Sequence, residues 1–103
     1  MIEVEPGHCY RLDLLDGGDE QTLTFVKRDG CYEDNHGGTT NQEVLRALIA
    51  RVLYLDQQLP AHENGAILQH LRMALILHEC RSLRRKVETG KLLPESLRAM
   101  PID

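Results

Sequence analysis

The stretch that decides the fold is Thr40-Asn41-Gln42-Glu43-Val44-Leu45-Arg46-Ala47-Leu48-Ile49-Ala50-Arg51-Val52-Leu53-Tyr54-Leu55-Asp56-Gln57-Gln58-Leu59-Pro60. Val44, Leu45, Leu48, Ile49, Val52, Leu53, Leu55 and Leu59 recur at spacings of three and four, the period of an α-helix. Thr40, or Thr39 before it, offers a hydroxyl to cap the first turn, and Gln42 or Glu43 stands near the third helical position, the capping-box pattern. Pro60 has no N–H to give and ends the run. The expectation is a helix from about Asn41 to Gln58.

Reading onward, a second helix is expected from Ala61–Glu63 to about Val87. Ile67, Leu68, Leu71, Ala74, Leu75 and His78 form one stripe, whereas Met73, Ile76, Leu77 and Cys80 lie off it. Thr89-Gly90 supplies the stop. The link is so short that the helices must be antiparallel neighbours, a helical hairpin over 40–88. Both helices carry apolar residues over more than one stripe. A helix apolar over most of its circumference is covered over most of it, so self-association through closed symmetry is expected.

Reading backward, Cys9–Leu15 and Thr22–Lys27 alternate apolar and polar residues, with Asp16-Gly17-Gly18-Asp19 between them as turn chemistry. A β-hairpin within 8–28 follows, then a polar linker over 29–39 containing Asp34-Asn35-His36-Gly37-Gly38, and a tail over 89–103 after the helices. The expected fold class is α+β: an N-terminal antiparallel β-hairpin or small sheet, then a two-helix antiparallel hairpin, as one oligomeric domain. A two-stranded hairpin is marginal alone and must pack on the helices or on another subunit.

Composition limits the function classes. The chain has 103 residues, 42% apolar and 27% charged, which excludes general disorder. No apolar run reaches the roughly 18–20 residues of a membrane span, and Met1-Ile2-Glu3-Val4-Glu5 lacks the basic region and long apolar stretch of a secretory leader. The net charge of −4 argues against a general DNA binder. That average hides a gradient. Residues 1–35 hold nine acidic and three basic side chains, whereas residues 81–103 hold three acidic and six basic. Cys9, Cys31 and Cys80 are odd in number and sparse, as reduced cytoplasmic thiols would be. Cys9, Cys31, His8 and His36 match no standard zinc spacing, and His62-Glu63 and His78-Glu79 lack the second histidine of a zinc-protease motif. No nucleophile–base arrangement emerges around Ser82 or Ser96. The reading is a protein that is not an enzyme and needs no cofactor or metal.

Four places could carry binding chemistry. Arg81, Arg84, Arg85 and Lys86 cluster at the end of the second helix, with Arg81 and Arg85 four apart on one face. They either favour the helix dipole and cap carbonyls or fork onto phosphate oxygens. Tyr54 is either a half-buried core aromatic or a stacking platform. Asn64 is either a first-turn cap or an amide that reads a base edge. Lys27-Arg28, closing the second strand, are either solvated or add charge to a site. An aromatic ring, a carboxamide and an arginine pair together suit a nucleotide.

The order of segments resembles a known family. Thr24-Phe25-Val26-Lys27-Arg28, then Gly38-Thr39-Thr40-Asn41-Gln42-Glu43-Val44-Leu45-Arg46-Ala47-Leu48-Ile49 with Arg51-Val52 and Tyr54-Leu55, then Pro60, Glu63-Asn64 and His70-Leu71-Arg72-Met73-Ala74-Leu75, then Arg81 and Arg85, are similar to the phage Thoeris anti-defence proteins of the first type. Their helical hairpin is shared with the phage anti-CBASS nucleotide sponge. The resemblance covers about residues 22–28 and 38–86. It implies a sponge in the host bacterial cytoplasm that binds glycocyclic ADP-ribose isomers, and in several members cyclic di- and trinucleotides, without cleaving them. It implies dimers and hexamers, with Tyr54 on adenine, Asn64 assisting, Arg81 and Arg85 on phosphates, and Lys27 or Arg28 as a further basic contact. The acidic segment 1–20 and Leu92–Met100 do not match the pattern. The competing class is a protein-interaction adaptor whose apolar helical faces bind another protein.

Overall fold

A computed structural model describes residues 1–27 and 37–90. The chain is α+β: among the described residues three strands precede two helices, β1 (Ile2–Glu5), β2 (Cys9–Leu12), β3 (Gln21–Thr24), α1 (Asn41–Gln58) and α2 (His62–Glu88). It forms two compact units that meet in sequence at Asn41.

In the first unit the strands lie in the order β1-β2-β3, all antiparallel. Tyr10 pairs with Glu3 on one side and Leu23 on the other. The sequence reading contained only β2 and β3. The added strand is joined by Glu5-Pro6-Gly7-His8, where the His8 N–H donates to the Glu5 carbonyl at 3.0 Å and Gly7 sits at φ 80°. Proline presets the second turn position and glycine accepts the left-handed third, the chemistry of a type II turn. The register shifts between Glu3 and Glu5, a β-bulge.

Strand β2 is shorter than the alternation suggested because the chain turns at Leu14, and β3 ends at Thr24, where pairing passes to Thr39. The Gly17 N–H donates to the Leu14 carbonyl (3.3 Å), and the Asp16 carboxylate accepts from the Gly18 N–H (3.1 Å). Beyond β3 the chain stays extended. Phe25 bridges Thr39 in parallel, with the Thr39 N–H on the Thr24 carbonyl (2.8 Å) and the Val26 N–H on the Thr39 carbonyl (2.9 Å). Gly38 is required by this approach, since a Cβ there would stand 2.5 Å from the Phe25 carbonyl carbon. The Phe25 ring packs edge-on against Tyr10, centroids 5.9 Å apart. The Tyr10 hydroxyl accepts from the Gly7 N–H at 2.9 Å and so ties the ring pair to the first turn.

In the second unit three side-chain hydrogen bonds fix the helix register. Gln42 donates to Ser82 (3.0 Å), Arg46 to Glu79 (2.7 Å) and Asn64 to Asp56 (2.9 Å). As α1 advances the partner on α2 recedes, so the helices are antiparallel. Their seam is Gln42, Leu45, Ile49, Val52 and Asp56 against Asn64, Leu68, Leu71, Leu75, His78 and Ser82, all half-buried or buried. This alternation of threes and fours is that of a coiled-coil seam. Among the described residues only Leu68 and Leu75 are buried. The helix α2 ends in an αL cap: Gly90 has φ 75°, its N–H donates to the Val87 carbonyl, and the Thr89 N–H and hydroxyl donate to the Arg85 carbonyl. No helix is long and apolar enough to cross a membrane among the described residues.

Candidate functional site

The basic end of α2 is built by a difference in length. Gln42, in the first turn of α1, bonds Ser82, so the last turn and a half of α2 runs past the start of α1 and, among the described residues of its unit, has no helix opposite it. Arg81 stands at the edge of this overhang and Arg85 within it. Their guanidinium groups have no hydrogen bond or ion pair among the described residues, whereas Arg84 lies 3.7 Å from Glu88. Thr89 and Gly90 take the last carbonyls of the helix, so neither arginine serves as a cap. Two forked cations one turn apart, exposed and unneutralised, suit an anion with several oxygens.

Tyr54 is not a core residue: it is 53% exposed. It lies two residues from both Val52 and Asp56, about 200° around the helix from each, on the side of α1 turned away from α2. Its hydroxyl accepts from the Gln58 amide at 2.7 Å, which leaves both ring faces free of aromatic neighbours among the described residues.

Asn64 takes the first-turn role. Ala61, at the head of α2, gives no side-chain cap. Asp56 substitutes from the other helix: one carboxylate oxygen accepts from the Ala61 N–H (3.4 Å) and from the Asn64 amide (2.9 Å). Asp56 was missed by the sequence reading, although an aspartate five residues before a capless helix start is a visible signal.

Lys27 is ion-paired with Glu5 at 2.8 Å, so its charge is met within the sheet unit. Arg28 lies outside the described residues, as do Cys31 and His36. The helical candidates do not converge within one chain. Tyr54 and Asn64 belong to the end of the hairpin near the inter-helix turn. Arg81 is seventeen residues beyond Asn64, about 26 Å along α2. Among the described residues no group of three or more His, Cys, Asp and Glu side chains could hold a metal ion. No protein-family model matches the chain, and no curated protein matches it.

Proposed function

We propose that the chain is a self-associating sponge that binds a cyclic nucleotide signal of bacterial immunity, a glycocyclic ADP-ribose isomer or a cyclic oligonucleotide, and holds it intact in the host cytoplasm. The observation that carries this reading is the pair Arg81 and Arg85: exposed, one turn apart, unpaired among the described residues and not spent on capping. Tyr54 supports it as an exposed ring able to stack on a base. Equilibrium capture needs no catalytic group, only an enclosed pocket whose groups are already ordered.

The 26 Å between the two ends means that one small ligand cannot touch Tyr54 and Arg85 of the same chain. The reading therefore requires a second copy to complete the pocket, its arginines meeting the first copy's tyrosine. Asn64 enters as the residue that rigidifies the turn near Tyr54 rather than as a free amide.

The test is calorimetry with glycocyclic ADP-ribose, beside native mass spectrometry for stoichiometry. Arg81→Ala and Arg85→Ala are each expected to weaken binding by about 1.5–3 kcal/mol, the scale of a charged hydrogen bond, with the melting temperature unchanged. Unchanged affinity in both variants places the anion site elsewhere. A second reading, a protein-interaction adaptor, is favoured by the exposed Leu48, Ile67 and Leu77 on the hairpin. A sponge releases its ligand unchanged on heating, an enzyme releases a changed product, and an adaptor releases none.

A further inference from the structure

One side of the helical hairpin holds an apolar groove of about 410 Å³, within the range of roughly 300–1,000 Å³ that small-molecule sites occupy. Ile49 and Leu75 form its floor, and Ala50, Leu53 and Ile76 its walls. The small Ala50 makes the hollow, since a larger side chain there would fill it. An arginine stands at each end. The register that sets Arg46 against Glu79 sets Leu53 against Arg72, seven residues and about 10 Å further along α1. The two arginines are not equivalent. Arg46 is bonded to Glu79 (2.7 Å) and lies 3.5 Å from Glu43, so that end is net acidic. Arg72 has no ion pair among the described residues. None of these residues belongs to the nucleotide site proposed above.

Between its ends the groove offers aliphatic side chains and no side-chain hydrogen-bonding group. A sugar or a base laid there would leave its polar atoms unmet, whereas an alkyl chain has none to satisfy. Because a guanidinium closes each end, the groove suits a short body rather than a peptide helix that runs on past both. The head of that body must be anionic to pair with Arg72. It must also lie at the Arg72 end, since the Glu43 and Glu79 carboxylates repel an anion at the other. We propose that the groove binds a medium-chain alkyl carboxylate, its carboxylate forked by Arg72 and its tail running over Leu53, Ala50 and Ile49 toward Arg46. At roughly 1.3 Å of advance per bond, the length of the groove holds a tail of about eight carbons.

The test titrates saturated carboxylates of increasing chain length, hexanoate to hexadecanoate, into the full chain below their micelle concentrations. Calorimetry and the methyl resonances of Leu53 and Ile76 report binding. Affinity is expected to rise about fourfold per added methylene, the equivalent of about 0.8 kcal/mol, as far as decanoate and then to level. Ala50→Leu, a helix-compatible change at an exposed position, should fill the hollow and weaken decanoate binding about tenfold or more while helical circular dichroism persists. Arg72→Glu should lose decanoate and gain decylammonium, an exchange that a folding defect cannot produce. The proposal is overturned by a wild type that binds no carboxylate saturably, or that takes decanoate and decylammonium equally. Two other occupants would show themselves, and either overturns it. Leu53 and Ile76 resonances that shift on concentrating the ligand-free protein, and then ignore decanoate, put a second copy in the groove. Sedimentation with phosphatidylglycerol vesicles that Ala50→Leu abolishes, without binding of soluble carboxylate, puts a membrane surface there.

Discussion

The two units of this protein are held by different kinds of constraint. The sheet unit depends on a few positions where the backbone favours glycine: Gly7 at the first turn, Gly17 at the second, Gly38 against the Phe25 backbone. The helical unit depends on a repeated seam in which each position resembles its neighbours, closed by polar bonds at either end and one within. Specific points locate a sheet that has short strands. Periodicity defines a hairpin but leaves large apolar side chains exposed beside the seam, among them Leu48, Ile67, Met73 and Leu77.

The sharpest way to break this comparison is to remove one seam residue and one flank residue of the same type. Leu75→Ala is expected to cost about 2–5 kcal/mol, the range for a buried leucine truncated to alanine, in a denaturant melt. Leu77 is 67% exposed, so Leu77→Ala should stay within about 0.5 kcal/mol. If the two cost the same at high protein concentration, Leu77 is buried in an assembly, and diluting the sample should separate them again.

Next in size is Gly38→Ala. The added Cβ meets backbone, which cannot rotate away as a side-chain tip can, and overpacking of this kind costs about 1–3 kcal/mol. The loss should be confined to the sheet unit. Amide exchange of Val26 and Thr39 should accelerate while amides of α1 and α2 keep their protection. Acceleration in both units would show that they unfold together and would erase the contrast between them.

The helical unit was the more legible in sequence, for a physical reason. Eighteen residues from Asn41 to Gln58 give five turns of repeated pattern, with a threonine before them and Pro60 after, and α1 occupies those bounds. The helix α2 begins and ends within a residue of Ala61–Glu63 and Val87. Strand β1 has only four residues, all exposed, so Ile2 and Val4 supply a single period of alternation; the Pro6-Gly7 turn was its better signal. Of the candidate site, the shared face of Arg81 and Arg85 follows from spacing alone. That Tyr54 faces away from α2 and Asn64 faces into it follows from the phase of the seam, and Arg46–Glu79 from the register between helices, which no single helix pattern contains.

Asp56→Ala tests whether the turn between the helices is a point constraint of the sheet's kind. It removes both hydrogen bonds that receive the start of α2, one weak at 3.4 Å and one well formed at 2.9 Å. A loss of about 1–2 kcal/mol is expected, the scale of a cap. Asn64→Ala should lose less, since the Ala61 N–H keeps its acceptor. Equal losses would mean that the side-chain pair alone carries the turn.

The smallest expected effect is at Tyr54, and it bears most on function. An exposed ring contributes little to the fold of the free protein, so Tyr54→Phe, which gives up only the Gln58 contact, should leave the melt within about 0.5 kcal/mol. Tyr54→Ala should shift it little more. Binding of a nucleotide signal separates the two variants: Phe keeps the π-face and the affinity, whereas Ala forfeits about 1–3 kcal/mol of stacking. Calorimetry run beside a thermal melt reads both quantities on the same sample. A Tyr54→Ala protein that melts with wild type yet binds weakly assigns the ring to the pocket. One that binds as tightly as wild type removes Tyr54 from it, and the hairpin's chemistry then rests on the overhanging arginines alone.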